Sequence, residues 1–183
     1  MTPDLIIELF KYYAKFVPKD VLKKIFVQPA SSRFPGYDEI RTEIMSLPDG
    51  QVLPDFDTFV VSLNDNFVSE RMKGSKEFVL FVEYGSFSVD HSITEGAKEN
   101  LAVAVVRKFS DSNSDNVNEI IHMNKCFVLL DTILGAMGDE QNTLDFCDGS
   151  LVEFPAELYP VDPALFHGCG GWVAKFKKVN TIL

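Results

Sequence analysis

The 183-residue sequence has few of the residues that build disulfide frameworks, metal centres and reactive sites. It contains three cysteines, three histidines and a single tryptophan. The cysteines (Cys126, Cys147 and Cys169) cannot all pair within one chain, and they form no C-x-x-C motif. Secreted disulfide scaffolds use an even number of cysteines, and structural zinc sites use clustered ones. The pattern argues against both classes and predicts a chain with reduced thiols.

Basic side chains are also scarce. The chain has 17 Lys and Arg against 27 Asp and Glu, which gives a net charge of −10. This charge repels phosphate backbones and anionic lipids, so we expect no nucleic-acid partner and no membrane partner. No apolar run approaches the roughly 18 residues of a membrane span, and MTPDLIIELF lacks the basic segment of a secretory signal. A soluble, cytoplasmic protein is expected.

What the chain does contain is ample apolar and aromatic material. Apolar residues make up 46% of the sequence, charged residues 24%, and there are 16 phenylalanines. This composition is ordinary for a globular domain, and the length suits a single domain with a substantial core. The phenylalanine content indicates a core or an interface that is rich in aromatic surface.

The amino-terminal third predicts helices. Thr2, Pro3 and Asp4 are typical of a helix start, and the helix should end near Phe16, before Pro18. Shorter helices are expected over 19–26 and 37–47. The intervening loop PASSRFPG predicts that residues 1–36 form a helical arm, separate from an α+β core over 50–180.

The middle of the chain predicts strands. Alternation over 59–63 indicates one strand, and 67–72 is a plausible hairpin partner for it. The runs FVLFVEY (78–84) and LAVAVVRKF (101–109) are apolar and β-branched or aromatic. They predict central strands that are covered on both faces.

The longest predicted helix covers 116–137. Ser114 or Asp115 can cap it, and Gly138-Asp139 should end it. We expect its apolar residues to form one wide stripe against the sheet. The stripe comprises Val117, Ile120, Ile121, Phe127, Leu130, Leu134 and Met137.

The carboxyl-terminal part predicts two more strands. A short one covers 151–154, and a last one begins near Trp172 with Lys175 and Lys177 on its outer face, as at a sheet edge or subunit boundary. The prediction for residues 1–183 is therefore a single α+β domain. It has a mainly antiparallel sheet, a long helix packed on it and an amino-terminal helical arm.

The segment FHGCGGWVAKFKK (166–178) holds the most conspicuous polar cluster. His167 and Cys169 could approach one metal ion, but the other soft ligands are scattered singly. Gly168, Gly170 and Gly171 suit a tight loop that leads into the last strand. The loop is the favoured interpretation, with a metal site as the alternative.

A second candidate is the sequence Asp111-x-Asn113-x-Asp115, which copies the first oxygen ligands of a calcium loop. Asn116 stands where such a loop needs glycine, and His122 stands where it needs glutamate. A loop that caps the following helix explains the same residues without an ion.

Catalytic arrangements are weaker still. Asp90 and His91 lie near Ser86, Ser88 and Ser92, but adjacency in sequence does not make a triad. Glu83 within an apolar strand would have a raised pKa if it were buried. We therefore predict no enzymatic activity, no cofactor, no small-molecule substrate, and no catalytic, cofactor-binding or metal-binding residue.

Three segments resemble pieces of phage and prophage tail-terminator or tail-completion proteins. They are FVLFVEYG (78–85), LAVAVVRKFSDSNSDNVNE (101–119) and YPVDPALFHGCGGWVAKFKK (159–178). The resemblance implies a β-sheet flanked by helices, in a virion-assembly protein that forms a ring, contacts other tail or head–tail proteins, and carries no catalytic residues. Two alternatives stay open: an acidic, immunity-type protein that neutralises a basic partner, and a hydrolase.

Overall fold

The computed structural model describes residues 5–62, 65–88, 98–109, 115–142, 150–152 and 155–180. The described strands form one sheet in the order β1-β2-β3-β6-β4, and β5 pairs with β6 beside β4. All pairings are antiparallel except β1 with β2, which confirms the predicted α+β class. The strands are β1 Phe56–Val61, β2 Phe78–Ser88, β3 Lys98–Lys108, β4 Ser150–Val152, β5 Glu157–Val161 and β6 Cys169–Asn180. The helices are α1 Leu5–Ala14, α2 Lys19–Lys23, α3 Tyr37–Ser46, α4 Asp65–Lys73 and α5 Asn116–Asn142, with a 3₁₀ turn at Ala30–Ser32.

The predicted hairpin after β1 is wrong, because the chain forms helix α4 there. β1 and β2 run parallel, and parallel neighbours require a crossover rather than a tight turn. Val68 and Met72 lie four residues apart on α4, and both are buried against the sheet. Alternation over a few residues could not distinguish this short helix from a strand.

The two central strands are covered on both faces, as predicted. Leu80 and Val82 of β2 lie in the larger apolar cluster, while Val79 and Phe81 lie in a smaller cluster on the opposite face. The larger cluster is covered by α1, α2, α3 and α5. The smaller one is covered by α4 and by Phe166, whose ring packs on Phe81.

The amino-terminal helices pack on the sheet over their described residues. The ring of Phe10 stacks on Phe59 of β1 at a centroid distance of 5.7 Å. The largest buried side chains of this helical region share a cluster with the sheet residues: Leu9, Tyr13, Phe16, Val17 and Leu22.

A polar network joins α1 to the end of α5. Lys15 Nζ donates to both carboxylate oxygens of Glu140 at 2.6 and 2.7 Å, Tyr12 Oη donates at 2.8 Å, and Gln51 Nε2 donates at 3.0 Å. Burial raises the pKa of Glu140, but these hydrogen bonds outweigh it and hold the pKa below its usual value. The network fixes the outer end of α5 against the amino-terminal helices.

The last strand, β6, does not lie at an edge. It pairs with β3 on one side and with β4 and β5 on the other, so the expectation of an edge strand is wrong. β5 was not predicted from the sequence, because the prolines at 155, 160 and 163 argue against a strand there and Pro160 lies within β5 itself. Lys175 is exposed, as predicted. The side chain of Lys177 falls outside the described ones.

Candidate interaction surface

The segment FHGCGG forms a tight turn, which confirms the favoured interpretation. Cys169 N donates to Phe166 O at 2.8 Å, and the two central residues, His167 and Gly168, have φ of 53° and 75°. Positive φ at both central positions is the pattern of a type I′ turn. Histidine is one of the few non-glycine residues enriched in this conformation. His167 therefore has a structural role as a turn residue.

Gly170 and Gly171 are needed for space rather than for backbone conformation. A Cβ on Gly170 would lie 1.9 Å from Cε2 of Phe109. One on Gly171 would lie 2.1 Å from the carbonyl oxygen of Val105. Of the three glycines expected to suit a tight loop, only Gly168 has a positive φ. At Gly171, the backbone of β6 lies too close to the backbone of β3 to leave room for a side chain.

The described thiols are buried within the apolar clusters. Cys126 and Cys169 are free and buried, and burial raises the pKa of Cys126 to about 12 and also raises the pKa of Cys169. Cys147 falls outside the described residues. Over the ranges that the structure describes, no three His, Cys, Asp or Glu side chains come close enough to hold a metal ion.

The calcium-like sequence can be tested only at its end. Asp111 and Asn113 fall outside the described residues. The Asp115 carboxylate accepts a hydrogen bond from Val117 N at 3.0 Å, as an N-cap does. Asp115 therefore begins α5.

The residues considered as a catalytic triad form no site within the part of the chain that the structure describes. Asp90, His91 and Ser92 fall outside the described residues, and Ser86 and Ser88 lie on β2. Glu83 is exposed, so the condition of burial is not met.

His122 is held by a basic neighbour. Arg107 donates from Nη1 to His122 Nε2 at 2.8 Å, and its Nη2 pairs with Glu77 at 3.1 Å. An arginine only donates, so the imidazole accepts at Nε2 and is neutral. The ring of Phe109 stacks on His122 at 6.4 Å. Burial and the positive charge of Arg107 lower the pKa of His122, while Glu77 opposes the shift.

This contact predicts a pH-dependent stability. The folded pKa of His122 lies below the unfolded value of about 6.5, so the unfolded chain binds the proton more readily. The neutral His122 therefore contributes its full share of stability above the unfolded pKa of about 6.5. This share decreases as the pH falls from there through the lower, folded pKa. We expect wild type to lose more stability than His122→Gln between pH 7.5 and pH 5.5 in urea unfolding. An equal loss in both proteins would contradict the role of His122.

Helix α5 has two apolar sides. Its inner side packs on the sheet, and Trp172 Nε1 donates to the carbonyl oxygen of Met123 at 3.0 Å. The helix continues to Asn142, beyond the predicted end at Gly138-Asp139, because glycine is tolerated within a helix. The inner residues are Cys126, Leu129, Leu130, Ile133, Leu134 and Met137.

The other side of α5 is exposed, which corrects the predicted single stripe. Val117, Ile120, Ile121, Phe127 and Val128, here called the outer α5 surface, keep 40–63% of their area exposed. Since each side chain offers roughly 150–250 Å², together they expose about 450 Å² of mainly apolar surface. This area lies within the range of about 300–600 Å² for the largest apolar patch of a typical monomer, and such patches are often functional.

By length and composition, α5 is also the one described helix that could cross a membrane. The most apolar 18-residue stretch within Asn116–Glu140 has a mean hydropathy of 1.4, and 33% of that stretch is buried. No such helix was predicted from the sequence, because no uninterrupted run of apolar residues is long enough to span a membrane. The buried residues of this helix are the inner ones, which pack on the sheet.

Two large exposed side chains lie on β5 and in the loop that follows it. Tyr159 of β5 is 42% exposed, and Leu165 of the loop is 84% exposed; these two side chains are here called the loop surface. Phe166 anchors this loop in the smaller cluster, away from α5. Lys175 lies 5.4 Å from the centre of the Tyr159 ring. The segment after α2 exposes Val27 and Phe34 as well.

No protein-family model, no curated protein and no solved structure matches this chain. Functional inference therefore depends on the surfaces themselves. The outer α5 surface was not recognised in the sequence, although a signal for it exists. Val117, Ile121 and Val128 are spaced by four and seven residues, which forms a second stripe opposite Leu130 and Met137.

Proposed function

We propose that the protein is a structural subunit that self-associates into a ring. In this proposal it acts in phage or prophage tail assembly, as a tail terminator or tail-completion protein at the head–tail junction. It assembles in the cytoplasm, and its role involves neither catalysis nor a cofactor. The observation that carries the proposal is the outer α5 surface.

The size of this surface suits the centre of a protein interface. Specific interfaces bury about 1,200–2,000 Å² in total, with an apolar centre and a polar rim. The outer α5 surface supplies about 450 Å² of centre from one copy. Asp131 and Thr132, exposed residues that follow Val128 on the helix, can supply part of the rim. Each copy carries a net charge of −10, so an apolar patch that meets another apolar patch avoids repulsion at close range.

Two different surfaces favour a ring over a closed pair. A contact between unlike patches runs head to tail, and it closes into a ring when the rotation between neighbours allows it. Helix α5 packs on the larger cluster, whereas Phe166, the neighbour of Leu165, packs in the smaller cluster on the opposite face of the sheet. We therefore pair the outer α5 surface with the loop surface of the next copy.

The tail-assembly role is supported by the resemblance of the three quoted segments. The long helix packed on a mainly antiparallel sheet agrees with the arrangement that the resemblance implies. The exposed helix face adds a physical reason for self-association.

The test is the mass of the native assembly. We expect light scattering and native mass spectrometry to give a cyclic oligomer larger than a dimer, with a ring visible by electron microscopy. Ile121→Glu should yield monomers, because it places a charge in the apolar centre. Thr42→Glu adds the same charge at an exposed position of α3, outside both surfaces, and should leave the ring intact.

A wild-type protein that stays monomeric at high concentration would overturn self-association. An intact ring that fails to bind tail tubes or head–tail proteins would refute the tail role alone.

A further inference from the structure

A groove opens beside β1, away from the outer α5 surface. It has a volume of about 270 Å³ and lies between α1, β1 and α4. Its walls are mostly apolar, with Ile6, Ile7 and Phe10 from α1 and Phe59 and Val61 from β1. Arg71 of α4 is the cationic member of the described lining. A groove of this kind suits a ligand that is apolar over most of its length and anionic at one end.

The position of Arg71 favours a carboxylate as the anionic end. Its side chain is half-buried, and Nη1 donates to the carbonyl oxygen of Lys24 at 3.3 Å, which holds the guanidinium near the groove. A guanidinium presents several donors in a planar fork that matches the two oxygens of a carboxylate. Partial burial strengthens such a contact relative to one in open solvent.

The apolar walls limit the rest of the ligand. Sugars and nucleotides bring many polar groups, and burying them against isoleucine and phenylalanine side chains costs free energy. Each methylene of an alkyl chain that is buried strengthens binding by roughly fourfold. The groove volume of about 270 Å³ lies just below the range of small-molecule sites, roughly 300–1,000 Å³, so the chain must be of no more than medium length.

We propose that this groove binds a medium-chain aliphatic carboxylate. The alkyl chain lies between α1 and β1, and the carboxylate pairs with Arg71. The site is separate from the surfaces of the proposed ring, so neither proposal depends on the other.

Sodium octanoate and octan-1-ol are matched probes, since they share the chain and differ in charge. In calorimetric titrations we expect octanoate to bind wild type at least tenfold more tightly than octanol. Arg71→Gln should weaken octanoate binding by roughly 10–100-fold, the value of hydrogen bonds to a charged group, and leave octanol binding unchanged. Lys73→Gln, which removes an exposed cation of the same helix that pairs with Glu70, should change neither.

Ile7→Phe provides an independent arm, because it fills part of the groove while Arg71 stays. It should weaken both probes to a similar degree, with circular dichroism and thermal unfolding confirming that the fold is kept. Equal binding of octanoate and octanol would show an apolar surface without selectivity for acids, and would overturn the proposal. So would unchanged octanoate binding in Arg71→Gln, or no octanoate binding to wild type at millimolar concentration.

Discussion

Replacement of Gly171 by alanine is expected to lower the free energy of unfolding by about 3 kcal/mol, the upper part of the range for inserting a methyl group into a packed interior. The added Cβ would lie 2.1 Å from Val105 O and 2.7 Å from Val106 Cα. Both are backbone atoms of β3, so no side-chain rotation can make room. β6 must instead move away from β3, which strains the pairing of the two strands at the centre of the sheet.

Gly138→Ala is the matched control for this change. Gly138 lies within α5, and a Cβ there would meet no described atom within 4 Å. Alanine should stabilise the helix by about 1 kcal/mol, since glycine is the poorer helix former. Urea unfolding of both variants measures the difference. A loss below about 1 kcal/mol in Gly171→Ala would show that the two strands can separate at little cost, and would contradict the close packing.

Elements with strong local signals were predictable from the sequence. The runs that became β2 and β3 combine β-branched and aromatic residues over a short length, so their type and burial followed from propensity and pattern. Asp115 marked the start of α5 correctly because a cap acts on the backbone of the next few residues. The turn at His167 and Gly168 was likewise a local property of its residues.

What failed depends on partners that are distant in sequence. Whether β1 pairs in parallel with β2 is decided by the whole sheet, and this choice turns 65–73 into a crossover helix. The interior position of β6 depends on its pairing with β4 and β5, and β5 went unrecognised because of its proline although it lies shortly before β6 in the chain. The lack of space for a side chain at position 171 is caused by the backbone of Val105, which is far away in sequence.

The candidate surface was missed for a related reason. The apolar residues of α5 occupy both sides of the helix, so their spacing could not indicate which ones face the sheet. Leu130 and Met137 were assigned correctly, whereas Val117, Ile120 and Ile121 proved exposed. Only the packing of the helix on the strands separates the two sets.

An equimolar mixture of Ile121→Glu and Leu165→Glu is expected to form a heterodimer, although each variant alone is monomeric. The first variant loses the outer α5 surface and keeps the loop surface, while the second does the reverse. A head-to-tail contact needs one intact surface of each kind, so the mixture can form one contact and no more. An unpaired buried charge costs about 3–5 kcal/mol, so each damaged contact should weaken at least a hundredfold. Native mass spectrometry identifies the species by mass.

The mixture also separates the ring from the simpler assembly, because a two-fold dimer would pair the outer α5 surface with itself. In that case Leu165→Glu alone would stay dimeric, and mixing would produce nothing new, contrary to the proposed ring. Phe34→Glu provides the control for the choice of second surface, since Phe34 is 85% exposed and belongs to neither surface. It should leave the wild-type assembly unchanged. If Phe34→Glu abolished assembly and Leu165→Glu did not, the loop surface would be the wrong partner for α5.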